Sequence, residues 1–180
     1  MCAETGDECR TQYELLTGGR TAYAAHRMSR ATVRCSSRNF TFVLRTDKEK
    51  NSAVASKWAY DFSALYSASC RETPYSALLV RYMADTLKAS DVVVTDRLHV
   101  AIMAMHMGRS VYMLDNDYGK LSGVYENSLK DNPRVHLLPP GEPWPVELQR
   151  AWKKLNSPWR DRYFAARRFA RRVLNKITGK

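Results

Sequence analysis

The sequence predicts an α/β fold: a doubly wound parallel sheet followed by C-terminal helices. Three observations carry this. Strand-like and helix-like segments alternate between residues 40 and 138. Two of the strand-like runs, "DVVVTD" and "SVYMLD", are continuously apolar, as strands covered on both faces must be. Helical segments stand between successive strands, and such crossovers join parallel neighbours.

The elements follow in order. Residues 1–38 show no complete periodic unit and read as a linker or the remnant of a preceding domain, with a turn at Gly18-Gly19. "NFTFVLRTDKE" is a strand, aromatic and β-branched from Phe40 to Leu44 and then abruptly polar. "SKWAYDFSALYSAS" fits neither period cleanly. "TPYSALLVRYMADTLKAS" is a helix, with Thr73 at the N-cap, Pro74 in the first turn, and Leu78, Tyr82 and Asp85 or Thr86 at helical spacing. "DVVVTD" is a buried strand. "RLHVAIMAMHMG" is a helix closed by Gly108, on which Leu98, Ile102 and Met105 should face inward. "SVYMLD" is a second buried strand, "SGVYENSLKDN" a short helix and "RVHLLP" a last short strand. These make one domain, residues 39–140.

After "PPGEPWP", a rigid connector, residues 141–180 read as a basic helical tail split at Ser157-Pro158. The formal charge is +11 overall, yet residues 147–180 alone carry +9, from 11 Lys/Arg against 2 Asp/Glu. The remainder is close to balance. The last segment sets an apolar stripe of Tyr163, Phe164, Ala166 or Arg167, Ala170 and Val173/Leu174 against Arg167, Arg168, Arg171, Arg172 and Lys176, the pattern of a basic amphipathic helix. Such a helix either packs on the domain or lies on an anionic membrane surface. Nucleic acid is the less suitable partner, because binding it requires no apolar stripe.

Several classes are excluded. No apolar run approaches the roughly 20 residues that span a bilayer. The N-terminal "MCAETGDECR" lacks the apolar core of a secretory signal. Cys2, Cys9, Cys35 and Cys70 show no CxxC spacing, which argues against zinc and for reduced thiols in a cytoplasmic protein. No metal site is expected.

In an open parallel sheet, ligands sit beyond the carboxyl ends of the strands. The segments that end there are Arg45-Thr46-Asp47, Asp61-Phe62-Ser63, Thr95 to His99, and Asn116 to Lys120. Arg97 and His99 fall in the first turn of a helix, where free N–H groups and the helix dipole favour an anion. An arginine supplies a planar fork for carboxylate or phosphate, and histidine is the side chain that exchanges a proton near neutrality. His106, two turns on, is too far to share that site. The structural alternative is that Arg97 pairs with Asp96 or Asp47 to hold the fold. Lys120 beside Gly119 suggests a tight turn or close approach of a ligand, and Arg45 faces the same choice between site and strand exit.

"FVLRTDKE", "VVVTDRLHVAIMAMHMGRSVYMLDNDYGK" and "GVYE" together resemble the C-terminal half of the polysaccharide pyruvyl transferase family, over about residues 40–138. The resemblance implies a Rossmann-like domain of the GT-B type that binds phosphoenolpyruvate and transfers its pyruvyl group to two hydroxyls of a saccharide, forming a ketal. It implies no cofactor besides that donor. It carries over Arg97 and His99 as catalytic, with His99 protonating the enol carbon and Arg97 stabilising the departing phosphate. Arg45, Leu98, Asn116, Tyr118 and Lys120 complete the donor site. The family has a further domain ahead of this half, so the chain reads as a fragment, as a shortened gene product, or as one that borrows that domain from a partner chain to complete the cleft. A saccharide on a lipid carrier would place the protein peripherally at the inner face of the membrane. The alternatives are a glycosyltransferase domain binding a sugar nucleotide, and a membrane-surface module without catalysis.

Overall fold

The computed structural model describes residues 30–46, 54, 56–62, 73–115 and 119–178. Five strands form one sheet in the order β1-β2-β3-β4-β5: β1 (Thr32–Cys35), β2 (Arg38–Val43), β3 (Val92–Thr95), β4 (Ser110–Leu114) and β5 (Val135–Leu138). The helices are α1 (Thr73–Lys88), α2 (Leu98–His106), α3 (Lys120–Val124), α4 (Val146–Leu155) and α5 (Pro158–Thr178). A π-helical turn, Tyr125–Leu129, continues α3.

The α/β class expected from the sequence is present, with two corrections to its topology. The sheet is mixed, because β1 pairs antiparallel with β2 while β2 to β5 are parallel. β1 lies in the stretch read as linker. It is joined to β2 by the two-residue turn Ser36-Ser37, with Ser36 at φ 54°. Glycine or asparagine normally marks such a turn, and serine hid it. Second, the strand order never reverses among the described residues, so the described sheet lacks the switch point of a doubly wound fold. Crossovers of one hand that step in one direction place all their helices on one face.

The core has that form. On one face, Val43, Val93, Val111 and Met113 pack against Leu87 of α1, Val100, Ala101 and Ala104 of α2, and Leu121. On α2 the inward face is therefore Val100, Ala101 and Ala104, while Leu98, Ile102 and Met105 are half-buried. On the other face, Phe40, Phe42, Val92, Val94 and Leu114 are covered by Leu148, Ala151 and Leu155 of α4, Phe164 of α5, and Trp58. The basic C-terminal segment thus supplies the second layer that continuously apolar β3 demands. No described helix is long and apolar enough to cross a membrane.

The ambiguous segment around Trp58 to Phe62 adds to the sheet edge without forming a strand. The Tyr60 N–H donates to the Phe42 carbonyl and the Leu44 N–H to the Tyr60 carbonyl, both at 3.0 Å. Trp58 enters one core, Tyr60 and Phe62 the other, and Asp61 is carried to the carboxyl end of β2.

Candidate functional site

The registers Val43↔Thr95 and Thr95↔Met113 bring the residues two steps further on into one row: Arg45, Arg97 and Asp115. Neighbouring strands lie about 4.8 Å apart, so this row is compact. The backbone positions of Arg45 and Arg97 therefore stand side by side at the carboxyl edge.

Buried carboxylates organise that edge. Asp61 accepts the Thr46 N–H at 2.8 Å and the Thr46 hydroxyl at 3.0 Å. It also binds Nη2 of Arg97, at 2.7 Å through Oδ1 and 2.9 Å through Oδ2. Arg97 is therefore paired with Asp61, not with Asp96, the first of the two acids weighed from the sequence. The second, Asp47, lies outside the described residues. The Asp61 side chain is only 2% exposed, so the guanidinium is held by a partner with little freedom to move. Asp96 accepts the Arg45 N–H at 2.9 Å. Burial pushes the Asp96 carboxyl above its ordinary value, against the N–H groups of Arg45 and Asp96 and the charges of Arg97 and Arg45, which pull it down. Asp115, also buried, accepts the Leu121 N–H at 3.3 Å and ties the start of α3 to the end of β4.

The remaining predicted residues divide. His99 is exposed in the first turn of α2, where the helix begins without a side-chain cap. The Arg97 N–H is taken up instead by the Thr95 hydroxyl at 3.0 Å. Leu98 is half-buried against the core, so its side chain serves packing. Lys120 is exposed at the first position of α3. Gly119 before it has φ 63°, and the Ser122 hydroxyl donates to its carbonyl at 2.8 Å, the tight turn the sequence suggested. Asn116 and Tyr118 lie outside the described residues, as does Ser63. Among the described residues no three His, Cys, Asp or Glu side chains group as metal ligands.

Two cavities open nearby. The smaller, about 260 Å³, is lined by Leu44, Arg45, Thr46, Ser56 and Lys57 among others. The larger, about 440 Å³, lies beyond the last residues of β4 and β5, on the α4 side. Its walls are Leu114, Leu138, Pro139, Pro140, Trp144 and Trp152, with Glu142, Gln149 and Lys153 also lining it. Arg97, His99 and Lys120 line neither cavity. The two indoles meet edge to face, with centroids 5.4 Å apart at 72°. The Gln149 amide donates to the Trp144 carbonyl at 2.6 Å and fixes the loop. The sequence reading passed over this aromatic wall. "PPGEPWP" reads as a connector, and only folding brings Trp144 against Trp152.

With the carboxyl-edge row in place, the chain can be set against known families. Residues 50–118 match the family model for polysaccharide pyruvyl transferase. The match takes in Asp61, Asp96, Arg97, His99 and the α1–β3–α2–β4 unit, and it covers the central segment of the resemblance as far as Tyr118, while "FVLRTDKE" and "GVYE" lie outside it. Arg45, Lys120 and the Trp144/Trp152 wall lie outside the matched residues. No curated protein and no solved structure matches the chain.

Proposed function

We propose that the carboxyl edge of the sheet binds phosphoenolpyruvate and that the domain takes part in pyruvyl transfer to a saccharide. The observation that carries this reading is the family match across residues 50–118, whose polar residues converge where β2 and β3 end. Phosphoenolpyruvate holds a carboxylate and a phosphate a few bonds apart, so it calls for more than one cation. Arg45, Arg97 and Lys120 are cations that follow β2, β3 and β4 in turn, and the uncapped first turn of α2 adds backbone N–H groups.

The chemistry then divides among few groups. His99 donates a proton to the methylene carbon of the enol, which becomes a methyl group. The adjacent carbon becomes electron-poor and is attacked by one sugar hydroxyl, whose proton returns to the imidazole. A second hydroxyl displaces the phosphate and closes the ketal, and its proton leaves with the phosphate. Arg97 faces the negative charge that builds on the leaving phosphate. Asp61 is a positioning residue in this scheme, because its bond to Nη2 fixes the guanidinium before substrate arrives. The large cavity suits the acceptor: a sugar ring lays its C–H face on an indole, and Glu142, Gln149 and Lys153 offer polar partners to its hydroxyls.

The test is ligand-induced stabilisation. Phosphoenolpyruvate at about 100 times its Kd should stabilise the fold by about 2.7 kcal/mol. His99→Ala, at an exposed position, should weaken that effect without lowering the melting temperature of the free protein, and Lys120→Ala should weaken it as well. Stabilisation by a sugar nucleotide and not by phosphoenolpyruvate would replace this reading with a glycosyltransferase one.

A further inference from the structure

The orientation of α5 differs from what its amphipathic pattern would lead one to expect. At about 100° per residue, Trp159, Tyr163, Ala166, Ala170 and Val173 fall on one stripe, flanked by Phe169 and Leu174. A helix of a soluble domain normally turns such a stripe inward. Here the domain is gripped by a different face. Phe164, about 140° round the helix from Trp159, is the buried residue, at 8% exposure. Its ring lies 5.2 Å from that of Trp58. The Arg30 guanidinium sits over Phe164 at 4.7 Å, and that of Arg160 at 5.4 Å. Nη2 of Arg160 donates to the carbonyls of Arg30 and Thr32, and Lys57 pairs with Asp161 at 2.8 Å. The stripe is left outward: Trp159 is 74% exposed, Phe169 68%, Tyr163 60% and Leu174 59%.

We propose that this outward stripe is a docking surface for an anionic lipid bilayer, with α5 lying in the plane of the headgroups. Charge decides the occupant. The helix carries seven basic residues and one acidic one. A second copy of the chain would bring the same excess of positive charge against itself, and nucleic acid would leave the apolar stripe without a partner. A bilayer bearing anionic headgroups satisfies both parts at once: the acyl boundary takes the aromatic and aliphatic side chains, and headgroup phosphates take the flanking guanidinium groups. Arg162 has the geometry this needs, since its guanidinium lies over the Trp159 ring at 5.3 Å. The side chains of Trp159 and Tyr163 suit the interface itself, having apolar bodies and polar tips. The inference stands apart from the proposed reaction, because it uses no residue of the carboxyl edge.

The experiment is flotation of the full chain with vesicles of phosphatidylcholine alone and with one-third phosphatidylglycerol. The anionic vesicles should bind at least about tenfold more tightly, and the difference should shrink at high salt. The double variant Trp159→Ser/Phe169→Ser changes only exposed side chains and should lose vesicle binding while keeping the parent melting temperature. Arg162→Gln/Arg167→Gln, at about 60° and 80° to either side of Trp159, should lose the preference for anionic lipid. Three results would overturn the proposal: no binding to either vesicle, equal binding to both, or binding that survives the Trp159/Phe169 substitutions. A concentration-dependent dimer that those substitutions abolish, without vesicle binding, would assign the stripe to self-association instead.

Discussion

Removing the Asp61 carboxylate tests how the site is built. Asp61 receives a backbone N–H and a hydroxyl from Thr46 and a guanidinium from Arg97, all within 3.0 Å. In Asp61→Ala those donors lose their acceptor in a space from which solvent is nearly excluded. Breaking a buried ion pair by deleting one partner costs about 3–5 kcal/mol. The Arg97 side chain keeps 18% exposure and can recover some hydration, so we expect the lower end, about 3 kcal/mol. For a chain of this size that lowers the melting temperature by about 6–12 °C. Asp61→Asn retains one acceptor oxygen and should cost about half as much. Urea unfolding at neutral pH measures these values, and Arg97→Ala with the double variant completes a cycle. Coupling of about 1–3 kcal/mol is expected between the two positions. If Asp61→Ala costs less than about 1 kcal/mol, or if the two single effects simply add, Asp61 is not what holds Arg97, and its positioning role is lost.

Further predictions follow from neighbouring contacts. Because burial raises the Asp96 carboxyl, the folded state holds its proton more tightly than the unfolded chain does. Its contribution to stability is therefore largest in acid and is lost as pH climbs from the ordinary carboxylate value through the raised one. The stability of Asp96→Asn relative to the parent should accordingly improve between pH 4 and pH 7, as read from melting curves across that range, and a flat difference would contradict this. Phe164→Ala removes the ring that ties α5 to Trp58 and should cost about 3 kcal/mol by denaturation. It should also expose residues 158–178 to limited proteolysis. Gly119→Ala forces a Cβ into a left-handed position 3.3 Å from the Ser122 hydroxyl and should cost about 1 kcal/mol by the same measurement. If the large cavity holds the acceptor, Trp144→Ala should raise the KM for saccharide and leave that for phosphoenolpyruvate unchanged, in steady-state assays of phosphate release.

Local pattern carried much of the fold. The runs at Phe40 to Val43, Val92 to Thr95 and Ser110 to Leu114 became central strands, because a strand covered on both faces has no use for polar side chains. Gly108 and Gly119 did adopt left-handed turns. β1 was not legible, since "TVRC" is short and its turn uses serine. Of Leu98, Ile102 and Met105, expected to face inward on α2, Leu98 and Met105 pack against the core from half-buried positions, while Val100, Ala101 and Ala104 are the buried residues.

By itself the sequence determined the alternating α/β architecture, the edge of the sheet at which polar residues gather, the kinship of its central motif, and the basic amphipathic character of the last helix. These are properties of spacing along one chain segment. The tertiary structure alone decided that the strands run in unbroken order, that Asp61 rather than Asp96 holds Arg97, that Trp144 and Trp152 share one wall, and that Phe164 turns inward while Trp159 turns out. Each of these joins residues from 8 to 52 positions apart or more, or depends on which side of an element meets the sheet. Periodicity says which side chains share a face. Only packing against the other segments says which face is covered.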